Sequence, residues 1–427
     1  MLNRALAPEF KTINKIDVIQ TKHEKLSNGI GVYSLSAGTQ EIVKVEFVFR
    51  AGMYHQTKTL IASTTNNLLE SGTKSYSADQ LSDGIDFYGS FLELQVEQDI
   101  ASVTLFSLNK YLNESLKFVE ELIKFPLFPE HEFKIHVSNK KQKHIINSQK
   151  VSVLARRRFT ELLFGAEHPY GRDVKDADFD RISISELKTF FNTHYNSLNC
   201  TIFTSGNLPH NLTETLNGFF GEAHWGGTLD NDNLQVKTLH TSSQQKHFIQ
   251  KDDAIQSAIR IGRVLFNKTH PDYFKFQVLN TILGGYFGSR LMANIREDKG
   301  YTYGIGSGLT NLVHNGYFFI STEVGADVTK ETLSEIYKEL GILREKSIDT
   351  NELETVRNYI LGNFLRSVDG PFALADKYKS IWEYDLDYSF FDNYFHAVKT
   401  VIPTELRDLA NKYFQEKDLI ECVAGKM

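Results

Sequence analysis

The chain has 427 residues with 47 basic and 53 acidic side chains, a net charge of −6. An acidic balance with dispersed Lys and Arg is the wrong footprint for a nucleic-acid surface. The length suits two domains, each able to bury a core, and 41% hydrophobic with 23% charged residues is an ordinary globular composition.

No apolar run approaches the ~20 residues needed to cross a bilayer. The opening stretch, MLNRALAPEFKTINKIDVIQ, lacks the apolar core of a secretory signal. The expectation is a soluble, cytoplasmic protein with no membrane contact. Cys200 and Cys422 both sit in apolar, strand-like segments and read as buried free thiols, which excludes a disulfide framework.

In chain order, Val43, Val45, Phe47 and Phe49 alternate with Lys44, Glu46 and Val48 and predict a strand. Helical patterns follow at about 60–70 and 78–87, then a strand pair, 90–97 with 100–107, then long helices over 111–123 and 129–164. Residues 184–207 read as an amphipathic helix and a short strand ending at Gly206. The polar, aperiodic stretch 224–246 reads as a linker.

A second series begins with a strand at 258–266. It continues with helices at 272–283 and 289–297, a strand pair, 301–309 with 316–324, and helices over 328–346, 350–368 and 371–398. Residues 403–426 then align without a gap on 184–207 at an offset of 219. Glu405 falls on Glu186, Leu406 on Leu187, Phe414 on Tyr195 and Gly425 on Gly206, while Glu421 against Ile202 is a mismatch. A period near half the chain means a duplicated domain rather than a solenoid. The fold class is therefore α+β, each domain a mainly antiparallel sheet with helices packed on one side. The expected domains are 1–223 and 247–427, joined by the linker 224–246.

The most informative stretch is 284–308, GGYFGSRLMANIREDKGYTYGIGSG. Arg296 closes an amphipathic segment, Asp298-Lys299-Gly300 is turn chemistry, and Tyr301 and Tyr303 are predicted on one face of a strand. A guanidinium and a phenol brought to one sheet edge suit polarising a peptide carbonyl. Gly284, Gly285 and Gly288 form a turn where a helix ends and Gly supplies positive φ.

The string Gly284-Gly285, Ser289-Arg290-Leu291, Ile295-Arg296-Glu297 and Gly300-Tyr301-Thr302-Tyr303 resembles the carboxy-terminal half of the pitrilysin/insulinase-type peptidases, the inverted-zincin family. The resemblance extends over about 40–427 and implies a processing-peptidase-like fold. It also implies that Arg296 and Tyr303 face a zinc site and contact substrate, with Gly284, Gly285 and Gly288 as a shortened substrate-touching loop.

Active members carry His-x-x-Glu-His five residues before a Gly-Thr, which here is Gly72-Thr73. Counting back places Ser63, Asn66 and Asn67 at the His, Glu and His positions. Ser and Asn are poor substitutes for the imidazole, thiolate or carboxylate that zinc takes. The third family ligand, a Glu some seventy-odd residues downstream on a long helix, is missing too: no Asp or Glu occurs between Glu132 and Glu161. His131 and His136 lie five apart, roughly 140° around a helix, so they do not face one metal.

The resemblance thus implies a zinc-free, catalytically silent subunit of a heterodimeric zinc peptidase. Zinc and the general base would sit in a homologous partner subunit, an unstructured peptide would be the substrate, and Arg296 and Tyr303 would be donated in trans. The alternative is a non-catalytic structural or peptide-binding homologue with no role in hydrolysis, and a third option is a homodimer that captures peptides without cutting them.

Overall fold

The structure is a computed structural model that describes residues 18–227 and 237–427. The leader reading of the first residues and the middle of the expected linker, 228–236, lie outside the described residues. Residues 237–245 carry no regular secondary structure.

Two sheets are built alike. The first contains β1 (Lys22–Lys25), β2 (Gly31–Ser36), β3 (Ile42–Phe49), β4 (Phe91–Val96), β5 (Ala101–Leu108) and β6 (Cys200–Gly206), in the order β1-β2-β6-β3-β5-β4. The second contains β7 (Lys246–Gln250), β8 (Gln256–Leu265), β9 (Ile305–Asn311), β10 (Gly316–Gly325) and β11 (Ile420–Gly425), in the order β7-β11-β8-β10-β9. In each, the last strand pairs parallel with the first long one (β6 with β2, β11 with β7), and the remaining pairings are antiparallel. This shared order is the architecture of a duplicated domain.

The repeat at an offset of 219 has a physical basis. Its helices, Ile184–His194 and Pro403–Tyr413, start with the same device: the Glu186 and Glu405 carboxylates accept from the backbone N–H of Ser183 and Ile402 at 3.0 and 3.1 Å. Tyr195 and Phe414 are each fully buried, against Phe49 and Phe191 in one case and Phe276 and Phe318 in the other. Gly206 and Gly425 end their strands at φ +124° and +142°. A Cβ would collide with the Ile42 carbonyl at Gly206 and stand 2.7 Å from Ser257 Cα at Gly425, so only glycine fits. The mismatched Glu421 is buried and accepts from Tyr337 OH at 2.9 Å.

Alternation in β3 fixes which side faces which core. Val43, Val45, Phe47 and Phe49 enter the first half's core, each burial contributing roughly 1.5–3 kcal/mol. Lys44, Glu46 and Val48 point the other way, where a helix from the second half covers the sheet. That helix, Pro371–Trp382, brings Asp376 to Lys44 at 2.6 Å, pairs Lys379 with Glu46, and lays Tyr378 and Trp382 against Val48 and Phe203.

The exchange is mutual. The helix Val151–Phe164 of the first half packs Ala155 on Ala258 and Ala424, and Phe159 and Phe164 on Tyr317, beneath the second sheet. Helices on one side of each sheet come from its own half, and the other face is closed by the opposite half.

Several element boundaries differ from the sequence reading. The pattern over 129–164 is two helices, Glu130–Asn147 and Val151–Phe164, broken by the turn 148–150. The pattern over 371–398 is likewise two, Pro371–Trp382 and Ser389–Thr400, because Asp385 adopts left-handed φ (+55°) and Asp387 Oδ1 accepts from Ser389 N–H. The predicted strand at 301–309 begins only at Ile305.

Candidate functional site

Ser63, Asn66 and Asn67 lie on the short helix Ile61–Asn67. It is entered through Leu60 at φ +73°, a conformation bulky residues rarely hold. Asn66 is fully buried, and its amide is committed: Nδ2 donates to Gln95 O (3.0 Å) and Ser102 O (3.4 Å), and Oδ1 accepts from Tyr195 OH (2.9 Å). It fastens the helix to β4, β5 and the repeat helix, and it has neither charge nor basicity to activate water.

Ser63 Oγ reaches Leu60 O at 3.3 Å and accepts from Lys140 Nζ at 2.8 Å. Lys140, on Glu130–Asn147, lies 77 positions after Ser63, within the seventy-odd at which the resemblance sets the third ligand. Burial pushes its pKa down to about 8. One turn back, His136 is pushed down to about 4, by burial first and then by Lys140 and Lys143, and its Nε2 has no partner. Burial raises the Glu70 carboxyl above its ordinary range.

The residues present do not fit a zinc ion. An ammonium faces Ser63, and Asn66 is spent on backbone. Among the described residues no group of three or more His, Cys, Asp or Glu is placed to hold a metal. His131 is exposed while His136 turns inward, as their spacing requires.

Arg296 falls in a wide, π-type turn of helix, Met292–Asp298, and its guanidinium lies over the Phe287 ring, 4.6 Å from the centroid. Gly300 (φ +67°) makes the predicted turn. The strand placement of Tyr301 and Tyr303 is corrected. Thr302 Oγ1 bonds Glu323 O (2.7 Å) and Gly304 O (3.0 Å), so side-chain bonds replace the ladder here and the two rings part company. Tyr301 is half-buried against the core, whereas Tyr303 is 96% exposed. Tyr303 borders a cleft of about 400 Å³ with Arg260, Glu323 and, from the first half, Ser152. Among the described residues no hydrogen bond joins Arg296 to Tyr303.

None of Gly284, Gly285 and Gly288 has positive φ, which corrects the expected reason for them. Close approach accounts for two: a Cβ on Gly284 would stand 2.6 Å from Ser307 N, and one on Gly288 2.8 Å from the Tyr286 ring. Gly285 is exposed and borders a second cavity of about 400 Å³.

A polar cluster between the halves was not anticipated. Tyr170 OH donates to Asp99 Oδ1, Val313 N donates to Asp99 Oδ2 at 3.0 Å, and the Tyr54 and His314 rings lie 4.4 Å apart, tilted by 33°. Burial raises the Asp99 carboxyl and pushes His55 down to about 4, with His194 and His314 adding to the latter. In the sequence its trace is His168-Pro169-Tyr170-Gly171, turn chemistry that carries Tyr170. Cys200 and Cys422 are buried free thiols, and burial pushes Cys422 up to about 12.

The fold is two like halves, and at the positions where the resemblance expects the zinc ligands and the base it holds Ser63, Asn67 and Asn66, with the Lys140 ammonium against Ser63. Residues 181–360 match the family model described as the Peptidase M16 inactive domain. An uncharacterized zinc protease of Bacillus subtilis, YmxG, is 20% identical over 358 residues, 82% of this chain and 84% of its own. The Helicobacter pylori protein described as non-peptidase homolog YmxG is 22% identical over 328 residues, 75% of this chain and 74% of its own. Among solved structures, a peptidase M16 inactive domain from Pseudomonas fluorescens superimposes with a TM-score of 0.85 at 20% identity, over 95% of this chain and 98% of that one. A protease from Helicobacter pylori superimposes with a TM-score of 0.85 at 17% identity, over 95% of this chain and all of that one; these likenesses show the fold. Over residues 181–360 the chain is similar to the M16 inactive domain, and along most of its length to proteins described as zinc proteases or as non-peptidase homologues. Among the described residues no helix is long and apolar enough to cross a membrane.

Proposed function

We propose that this protein is the zinc-free subunit of a heterodimeric M16-type peptidase. It would pair with a homologous chain that carries zinc and the general base, and together they would close on an unstructured peptide. The partner's metal would activate water. Tyr303 would donate to the carbonyl oxygen as it becomes an oxyanion, where preorganised donors count most. Arg296 would add positive field. The observation that carries the reading is the contrast between the two half-sites. The zinc-helix positions are closed off by Tyr195 and Lys140, while the Tyr303 phenol is 96% exposed beside a cleft, with no hydrogen-bond partner among the described residues. The test is peptidase activity on mixing with a zinc-bearing homologous subunit, absent from either chain alone and abolished by a chelator.

Arg296 lies over Phe287 rather than beside Tyr303, which favours a second reading. In that reading the chain is a structural or peptide-binding homologue with no part in hydrolysis, and the mixture would then be no more active than the zinc-bearing subunit by itself.

A further inference from the structure

The second cavity lies among the helices of the second half, between β9 and the helices Tyr273–Asn280, Thr350–Arg366, Pro371–Trp382 and Ser389–Thr400. At about 400 Å³ it has the size of a small-molecule site. The charged residues lining it are Lys268 and Lys377, and no carboxylate does. Lys268 Nζ donates to Ser380 O at 2.5 Å, and Lys377 Nζ rides 5.6 Å from the Phe364 centroid. Among the described residues neither lysine forms an ion pair. Burial pushes Lys268 down to about 8, with Glu383, outside the cavity lining, opposing first, Lys377 adding and Glu97 opposing. Lys377 is lowered by burial alone. Two half-desolvated ammonium groups in one cavity are a standing demand for an anion.

Asn280 adds a second, independent signal. It is 5% exposed, its Nδ2 makes one long bond to Ser307 O (3.4 Å), and its Oδ1 has no partner. A buried amide oxygen left without a donor is costly, so an occupant that supplies an N–H is favoured. The rings of Phe390 and Tyr394 complete the wall.

We propose that this cavity binds an N-acyl α-amino carboxylate, the chemistry shared by a peptide's carboxy-terminal residue and a free N-acylated amino acid. The carboxylate lies between Lys268 and Lys377, the amide N–H donates to Asn280 Oδ1, and an apolar side chain rests on Phe390 and Tyr394. Binding needs no metal and no second subunit, so it stands or falls separately from the pairing with a zinc-bearing chain.

The test is calorimetric titration of the isolated full chain with N-acetylphenylalanine, its carboxamide, and an unstructured tetrapeptide ending in phenylalanine. The acid is expected to bind and the carboxamide to bind roughly ten- to hundred-fold more weakly, the worth of one or two hydrogen bonds to a charged group. Lys377→Met, a half-exposed position, is expected to weaken the acid about tenfold and leave the carboxamide unchanged. Tetrapeptide affinity equal to or above that of the acid identifies a peptide terminus as occupant, and weaker affinity identifies the free acyl amino acid. Equal affinity for acid and carboxamide, undiminished binding by a folded Lys377→Met protein, or no binding at millimolar acid would overturn the assignment.

Discussion

Lys140 Nζ donates to Ser63 Oγ at 2.8 Å, so an organic cation is held against the residue where the resemblance sets the first metal ligand. The folded pKa, about 8, lies below the ordinary 10.5. Between those values the unfolded chain binds more protons, so this lysine's contribution makes stability rise with pH across about 8 to 10.5. Lys140→Met removes the buried charge and should stabilise the protein at pH 7 by about 1–3 kcal/mol. The gap between variant and wild type should close as pH climbs through that window. Urea denaturation at pH 7 and pH 10 checks it, and comparing the two proteins cancels Lys268, which titrates in the same sense. A less stable variant at pH 7 would contradict this picture.

Asn66 has a structural role at the position where the resemblance sets the general base. Asn66→Ala strands Tyr195 OH and two strand carbonyls, and should destabilise the fold by about 2–4 kcal/mol. Tyr195→Phe should cost about 1–2 kcal/mol. Once Asn66 is gone, removing the Tyr195 hydroxyl should cost less, a coupling that a double-mutant cycle reads directly. Additive losses would mean the 2.9 Å bond is idle.

Gly206→Ala and Gly425→Ala probe the duplication. Each forces a Cβ into neighbouring backbone at φ far into the glycine region. Each should cost at least about 2 kcal/mol in thermal or chemical denaturation. Gly300→Ala, with open space around its Cβ, should cost about 1 kcal/mol from φ alone.

These glycines also mark what was legible in the sequence. The faces of β3 followed from alternation, and the repeat gave two like halves, because burial on one side of a strand and a Cβ-free strand end leave one-dimensional traces. The exchange of helices between halves left none. Ala155 meets Ala258 and Ala424 through small side chains of a kind common on surface helices. The inward turn of Lys140 was hidden in a lysine run read only for its lack of acids. Its trace was the spacing Phe133–His136–Lys140, which puts three half-buried side chains on one helix face. Tyr303 was misplaced into a strand because alternation cannot anticipate Thr302 capturing the Glu323 carbonyl.

Metal content follows from the same site. Protein loaded with zinc and dialysed should retain far less than one equivalent by elemental analysis, since Ser63 and Asn67 stand where the resemblance sets the two His ligands and an ammonium lies against Ser63. A full equivalent, lost on mutating His131 or His136, would contradict the degenerate-site account.

On the reading that Tyr303 serves a partner's zinc, the deciding measurement is turnover by a complex reconstituted with a zinc-bearing homologous subunit. Tyr303→Phe deletes one exposed hydroxyl and should leave stability unchanged. If that hydroxyl meets the developing oxyanion, kcat and kcat/KM should fall together by roughly 10²–10³. Arg296→Ala should be at least as damaging, and Tyr301→Phe, half-buried on the core, should be nearly silent. A Tyr303→Phe complex as active as wild type, or chelator-sensitive cleavage by this chain alone, would contradict the account.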